Sequence, residues 1–171
     1  LIKPFVFRRY LDYGAIGQIR ELHRQIRAEV MRRDRIDNIK LGPGGIREIE
    51  FLAQVFQLIR GGRDARLQGR STLTTLSYLA QLKLLSQEHC TELSESYVFL
   101  RNLEHRLQYL DDAQTHSLPT SAPDQARIAA SVGKDNFEGV LAALKQHREC
   151  VARQFDAMFE LDVAETSSQA T

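Results

Sequence analysis

The sequence predicts an all-α protein, a bundle of about six helices with antiparallel neighbours and no sheet. Apolar residues recur at spacings of three and four through most of the chain, which is the period of a helix with one buried face. No two segments alternate apolar and polar residues as paired strands do. Most connections between the periodic segments are short, which favours contact between helices that follow one another in the chain.

The predicted domain organisation has three segments. The chain has 171 residues, enough for one domain with a sizeable core. Residues 1–11 are expected to be the exit from a preceding domain that is missing here, because the chain opens on Leu1. Residues 12–161 form the helical bundle domain. Residues 162–171 are mostly small and polar and are expected to be a disordered tail.

The first two predicted helices differ in how much apolar surface they carry. The first begins at Asp12, which can cap it, and has one apolar stripe. The members of that stripe are Ile16, Ile19, Leu22, Ile26 and Val30. The second covers residues 45–60 and is apolar on most of its circumference. A helix of that kind is typical of the centre of a bundle.

The third and fourth predicted helices each follow a serine. Ser71 caps a helix over residues 72–85, and a longer helix follows Ser86 and reaches about Asp112. The longer helix has an apolar seam that is expected to be buried. The seam consists of Leu93, Tyr97, Leu100, Leu103, Leu107 and Leu110, and the polar side of Arg101, His105, Gln108 and Asp112.

The last two predicted helices are separated by a glycine. A short helix starts at Ser121 or Asp124 and stops at Gly133. The final helix runs to about Leu161. Its start is marked by Asp135 with Glu138, which are spaced as an N-cap pair in the style of a capping box.

Composition narrows the function classes. The net charge is +1, with 43% hydrophobic and 26% charged residues, so broad binding to nucleic acid, which needs a basic excess, is not expected. No apolar run is long enough to span a membrane. Cys90 and Cys150 lack the spacing of a zinc site and are expected to be reduced thiols of a cytoplasmic protein.

The segment KLGPGGIREIEF is the unusual feature of the chain, because four helix-hostile residues precede a strongly helical run. A helix N-terminus carries unpaired N–H groups and partial positive charge, and glycines allow a phosphate to approach them. The alternative is a turn that only redirects the chain between two helices. On the first interpretation the phosphate- or nucleotide-binding residues are Lys40, Gly42, Gly44, Gly45 and Arg47.

A narrow polar stripe on the second predicted helix also has two interpretations. It contains Arg47, Glu50, Gln54 and Gln57, with Glu48 in the first turn. The stripe could be an internal network that is paired with neighbours such as Arg101 or His105. It could instead line a cleft that is shared with another domain.

Arginines cluster just after the same helix. Arg60 and Arg63, followed by Arg66 and Arg70, form either a solvated basic loop or a surface that faces an anionic partner. The histidines are scattered, and no arrangement of serine or cysteine with histidine indicates nucleophilic catalysis. We therefore predict no catalytic residue and no metal ligand in this chain.

Four motifs together resemble the bacterial glutamine synthetase adenylyltransferase family: KLGPGGIREIEF, QVFQLIRGG, FLRNLEHRLQ and DDAQTHSLP. The resemblance runs from about Ile2 to Phe159. It implies a large bifunctional parent enzyme with two nucleotidyltransferase domains, each followed by a helical domain. The helical segment of the second half usually reads GGITDIEF, so GGIREIEF resembles the first, deadenylylating half. The related PII uridylyltransferase usually reads PGGLRDI at this place.

The resemblance also implies cofactors and partners for the parent enzyme. Its metal-binding carboxylates lie in the nucleotidyltransferase domains, where Mg²⁺ and ATP, ADP or phosphate are used. The adenylyl-removing reaction attacks a tyrosyl-AMP bond of glutamine synthetase with phosphate and releases ADP. The expected partners are glutamine synthetase, the PII signal protein and the catalytic domains of the same chain, with no nucleic acid and no membrane.

Two functions therefore stay open. The chain is either a helical domain that packs beside the adenylyl-removing domain and contacts phosphate, or a non-catalytic interaction module. The module would dock glutamine synthetase or the PII signal protein, or couple the two catalytic halves.

Overall fold

The computed structural model describes residues 38–111 and 118–168, together with six positions near the N-terminus, namely 18, 21, 24, 25, 28 and 29. Those six positions are helical, in agreement with the first predicted helix. The apolar stripe predicted for that helix, and the predicted exit segment 1–11, lie outside the described residues.

The described ranges contain five α-helices and one short 3₁₀ helix, and no strand. In chain order they are α1 (Ile46–Arg60), the 3₁₀ helix (Ala65–Gln68), α2 (Thr72–Gln81), α3 (Gln87–Asp111), α4 (Ala122–Ser131) and α5 (Phe137–Ser168). Helices α1, α3 and α5 contact one another, α2 packs on α1 and α3, and α4 packs on α3 and α5. The predicted all-α bundle is confirmed.

A continuous apolar core joins the helices. Helix α1 buries five apolar residues and Glu48, as expected for a central helix, and α3 contributes the predicted leucine seam. The side chains buried from these two helices and α5 include Ile46, Ile49, Leu52, Leu93, Leu100, Leu103, Leu107, Val140, Leu144 and Val151. Each fully buried leucine or isoleucine stabilises the fold by roughly 1.5–3 kcal/mol relative to an exposed one. Core packing thus holds the bundle together.

The helix caps follow the sequence with three corrections. Ser71 and Ser121 cap α2 and α4 as predicted, each accepting a hydrogen bond from the third residue after it. Helix α2 ends at Gln81 rather than at residue 85, because Lys83 adopts a left-handed conformation with φ +55°. Leu82, Leu84 and Leu85 still pack on the core, so the apolar pattern continues past the helix.

The other two corrections concern α5. The residue that caps its start is Asn136, whose side chain accepts a hydrogen bond from the Gly139 N–H at 2.8 Å, and not the predicted Asp135. At the other end the helix continues to Ser168 instead of stopping near Leu161, and enters the segment 162–171 that the sequence predicts as a tail.

The described residues lack two features that would indicate particular functions. None of their helices is long and apolar enough to cross a membrane. They also contain no group of three or more His, Cys, Asp or Glu residues that could hold a metal ion.

Candidate functional site

The glycine-rich turn before α1 is tightly packed against α5. Gly44 has φ +70°, a conformation that favours glycine, and its Cα faces the backbone of Arg148. A Cβ atom at Gly44 would lie 2.6 Å from the carbonyl carbon of Arg148 and would overlap its oxygen. At Gly45 a Cβ atom would lie 2.7 Å from the carbonyl oxygens of Gly42 and Ile39. Both glycines are therefore required by close contact between backbones.

Every backbone N–H from residue 44 to residue 48 already has an acceptor within the chain. The N–H groups of Gly45, Ile46, Arg47 and Glu48 donate to the carbonyls of Gly42, Ile39, Lys40 and Gly45, at 2.9–3.3 Å. The Gly44 N–H donates to the buried carboxylate of Glu48 at 3.0 Å. The start of α1 is thus capped by the preceding turn. Phosphate binding at this turn stays a prediction, and it now depends on the side chains of Lys40 and Arg47.

Two further contacts fix the turn. The Asn38 side chain accepts hydrogen bonds from the Lys40 and Leu41 N–H groups at 3.0 and 2.9 Å, in the manner of an Asx turn. From α5, the Arg148 Nε donates to the Pro43 carbonyl at 2.8 Å. The backbone of the turn is consequently held by a side chain of the turn itself and by a side chain of α5.

A buried carboxylate lies beside this turn. Glu104 of α3 is only 1% exposed and accepts a hydrogen bond from Arg101 Nη1 at 2.6 Å. Its other oxygen is 3.4 Å from Lys40 Nζ. Burial of a carboxylate is costly unless cations compensate for lost hydration, and here two half-exposed cations do so. We call Lys40, Arg101 and Glu104 the charged cluster.

The charged cluster continues along the contact between α3 and α1. The Arg101 guanidinium lies 6.0 Å from the centroid of the Tyr97 ring, and the Tyr97 hydroxyl donates to Glu50 at 3.3 Å. Pairing of the polar stripe with Arg101 is therefore indirect, through Tyr97. His105 is exposed.

The rest of the polar stripe divides by position. Gln57 donates to the Gly69 carbonyl at 2.8 Å and to the Thr75 hydroxyl at 3.0 Å, so it is an internal brace. Glu48 is buried, whereas Arg47 and Gln54 are exposed. The polar stripe thus contains residues with internal roles, Glu48 and Gln57, and exposed residues, Arg47 and Gln54. Arg47 lies at the turn, and its own N–H donates to the Lys40 carbonyl at 3.1 Å.

The basic loop lies at the opposite end of α1. Arg60, Arg63 and Arg70 are exposed there. Arg66 is paired with Asp64 at 2.6 Å, and hydrogen bonds from Arg66 lower the pKa of the Asp64 carboxyl. The loop keeps a defined shape because Gln68 donates to the Gly61 carbonyl at 2.7 Å.

A second polar cluster joins α3 to α5. The Ser96 hydroxyl is 3.0 Å from His147 Nδ1, and the His147 ring stacks on Phe99 with centroids 4.4 Å apart. Burial lowers the pKa of His147, which favours the neutral form of the ring. Nearby, Gln154 donates to Glu92 at 2.6 Å. These contacts run between helices and hold α3 to α5, with Ser96 itself buried.

Sequence reasoning missed Glu104 and Arg148. A signal for Glu104 existed, because it directly follows Leu103 and lies one turn from Leu100 and Leu107, on the inward face of α3. A charged residue at such a position requires a buried partner. Arg148 gave no comparable signal, since its partner is 105 residues away in the chain.

Comparison with protein families decides the relationship. The model of the family described as GlnD PII-uridylyltransferase matches residues 20–159, which include every element described above except the end of α5. The chain belongs to this family. The sequence motifs resemble the adenylyltransferase more than the PII uridylyltransferase, which is expected only to be a relative with a similar helical segment, and the family match covers that shared segment.

Individual relatives of this family member have a different name. The chain is 57% identical over 168 residues to the bifunctional glutamine synthetase adenylyltransferase/adenylyl-removing enzyme of Chromobacterium violaceum, covering 98% of this chain and 19% of the relative. The enzymes of the same name from Aromatoleum aromaticum and Nitrosomonas eutropha are 57% and 56% identical over 159 residues, covering 93% of this chain and 17% of each relative. The resemblance indicated by the motifs is confirmed, and the chain spans about a fifth of these relatives.

Proposed function

We propose that this chain is the helical domain of a larger cytoplasmic enzyme that adenylylates and deadenylylates glutamine synthetase. The relatives carry that name, and they are about five times longer than this chain. The motif GGIREIEF supports a place after the adenylyl-removing nucleotidyltransferase domain. In this arrangement the partners are glutamine synthetase, the PII signal protein and the catalytic domains of the same chain.

The domain's role is to supply anion contacts to the neighbouring catalytic domain. The observation that carries this role is the position of Arg47, which is exposed in the first turn of α1 beside the charged cluster. A guanidinium can bind phosphate oxygens in pairs, and Lys40 adds a second cation. The backbone turn does not bind the anion itself, because its N–H groups have other acceptors.

The two cofactors of the parent enzyme fit this chain differently. Phosphate and the phosphates of ATP or ADP suit a pair of cationic side chains. Mg²⁺ prefers clustered oxygen ligands, and the described residues contain no such cluster. The family resemblance places Mg²⁺ in the nucleotidyltransferase domains of the parent enzyme, where it would neutralise phosphate charge. This chain positions a phosphate and excludes water on one side of the cleft.

The test is an Arg47→Ala variant of the full-length protein. Loss of a charge-assisted hydrogen bond costs about 1.5–3 kcal/mol, so the KM for phosphate in deadenylylation should rise at least tenfold. The matched control is Arg127→Ala, since Arg127 is an exposed arginine on α4, away from the turn. An unchanged KM for phosphate in Arg47→Ala contradicts the role.

The basic loop supports a second function, docking of an acidic partner surface. Arg60 and Arg63 are exposed at the end of α1 opposite to Arg47. A helix of 15 residues is roughly 22 Å long, so the two surfaces are separate. In this case Arg60→Ala with Arg63→Ala weakens binding to glutamine synthetase or the PII signal protein and leaves the KM for phosphate unchanged. Unaltered binding to both proteins excludes the docking role.

A further inference from the structure

Arg148 contacts the glycine-rich turn in two ways. Its Nε donates a hydrogen bond to the Pro43 carbonyl at 2.8 Å, and its own backbone lies against the Cα of Gly44. The side chain is half-buried, and it reaches the turn from α5. Arg148 of α5 therefore holds the glycine-rich turn that precedes α1.

The turn in its observed shape determines where the two proposed anion ligands lie. The Lys40 carbonyl accepts the Arg47 N–H at 3.1 Å, so the backbone of the two residues is joined across the turn. Pro43 lies midway between them in sequence. The hydrogen bond from Arg148 to the Pro43 carbonyl consequently restricts the motion of both Lys40 and Arg47.

We propose that Arg148 is a positioning residue for the anion site formed by Lys40 and Arg47. In this proposal Arg148 acts through the turn, by way of the Nε hydrogen bond to the Pro43 carbonyl, and Lys40 and Arg47 hold the anion. The proposal rests on the proposed function and deepens it, by assigning to α5 the control of the turn's geometry. Pre-organised ligands bind more tightly because less motion is lost on binding.

Arginine suits this task better than a flexible cation. The Nε–H of a guanidinium has a direction fixed by the planar group, whereas an ammonium group rotates freely. Arg148→Met keeps an unbranched side chain as far as the position of Nε and leaves the backbone contact with Gly44 in place, but removes the donor. Arg148→Lys retains a donor that can reach the Pro43 carbonyl with less exact direction.

The experiment is a double-mutant cycle in the full-length protein, measured as the KM and kcat for phosphate in deadenylylation. We expect Arg148→Met to raise the KM about fivefold with kcat unchanged, and Arg148→Lys to recover most of this loss. Because Arg148 positions Arg47 together with Lys40, the KM of the double variant Arg47→Ala with Arg148→Met should rise by less than the product of the two single effects. The matched control is Arg153→Met, since Arg153 is an exposed arginine of the same helix.

Other outcomes overturn the proposal in distinct ways. If the two substitutions multiply in their effect on KM, Arg148 acts independently of Arg47. If Arg148→Met changes kcat alone, or leaves both constants unchanged while Arg47→Ala raises the KM, the positioning role fails and the proposed function stands. An unchanged KM in Arg47→Ala contradicts the proposed function and this inference together.

Hydrogen exchange gives a readout that does not depend on activity. Peptides covering residues 38–47 should exchange faster in Arg148→Met than in the parent protein, and peptides covering residues 122–131 should be unchanged. If Arg148→Met does not fold, Arg148→Lys serves for the same comparison, with a smaller acceleration at residues 38–47. Equal exchange at residues 38–47 in the folded variant and the parent overturns the proposal.

Discussion

Two turns of this protein share a backbone conformation but differ in their surroundings. The turn 38–45 leads into α1 and contains Gly44, and the turn 132–136 leads into α5 and contains Gly133. Both glycines have φ +70°. A Cβ atom at Gly44 would overlap the backbone of Arg148, whereas a Cβ atom at Gly133 would meet nothing within 4 Å.

The two turns also cap their helices differently. The first N–H groups of α1 donate to backbone carbonyls of the turn and the Gly44 N–H to the Glu48 carboxylate. At α5 a side chain does this work, since Asn136 accepts the Gly139 N–H. A glycine with positive φ before a helix can therefore mark either a purely local turn or a contact with a distant helix.

Alanine substitution at the two glycines should give the largest difference in unfolding free energy between the two turns. Gly133→Ala should cost about 1–2 kcal/mol of unfolding free energy, the cost of a left-handed non-glycine residue. Gly44→Ala adds overpacking against a backbone that cannot move aside, worth typically about 1–3 kcal/mol more. Urea denaturation of both variants measures the difference. Equal losses at the two positions would show that the contact with Arg148 has no energetic weight.

Removal of the side-chain acceptor in each turn, Glu48 or Asn136, should give a smaller difference in unfolding free energy. Glu48→Ala leaves the buried Gly44 N–H without its acceptor, at a cost of about 1–3 kcal/mol. Asn136→Ala removes an exposed cap, at a cost of about 1 kcal/mol. Glu48→Gln and Asn136→Asp retain acceptors and serve as controls in the same denaturation experiment. If Asn136→Ala proves the more destabilising, the first turn is not the more tightly held of the two.

Acidification should have the smallest of these effects on the free energy of unfolding. It should act through His147 of α5, the helix that follows the turn 132–136. Burial lowers the pKa of His147 below its usual value of 6.5, and the charge of Lys134, in the turn 132–136, lowers it further, while Glu95 opposes the shift. Below pH 6.5 the unfolded chain therefore binds more protons than the folded one. The free energy of unfolding decreases as the pH is lowered, until His147 of the folded protein is also protonated.

His147→Gln is the control for this pH dependence. Glutamine does not titrate, so the variant should lose the part of the slope between the two pKa values of His147. The measurement is the urea midpoint of both proteins at a series of pH values from 7.5 downwards. Identical slopes in the two proteins would assign the pH dependence to other groups.

Local signals account for the parts of the fold that the sequence predicts well. Ser71 and Ser121 cap helices through bonds to residues only three positions away, so their role is visible in a short window. The same window leaves an error of one position between Asp135 and Asn136, because both are good caps. At α2 the apolar period misleads, since Leu84 and Leu85 pack on the core after the helix has ended.

The candidate site could be predicted only in part, for a physical reason. The unusual composition of the turn identifies Lys40 and Arg47, because glycine and proline before a helix are a local pattern. The role of Glu104 depends on which face of α3 is buried, and that of Arg148 on which helix crosses the turn. The first is indicated locally by the leucines around Glu104, whereas the second is a property of packing between segments far apart in the chain, on which a local pattern carries no information.

The contact between Pro43 and Arg148 also has a consequence for the order of folding. It joins residues 105 positions apart, so its formation closes a long loop of chain. Loop closure of this kind is entropically costly until the intervening helices have packed, whereas the caps at Ser71 and Ser121 form within one helical turn. The contact of the turn with Arg148 is thus expected to form late in folding, and substitutions that remove it should change the rate of unfolding more than the rate of folding.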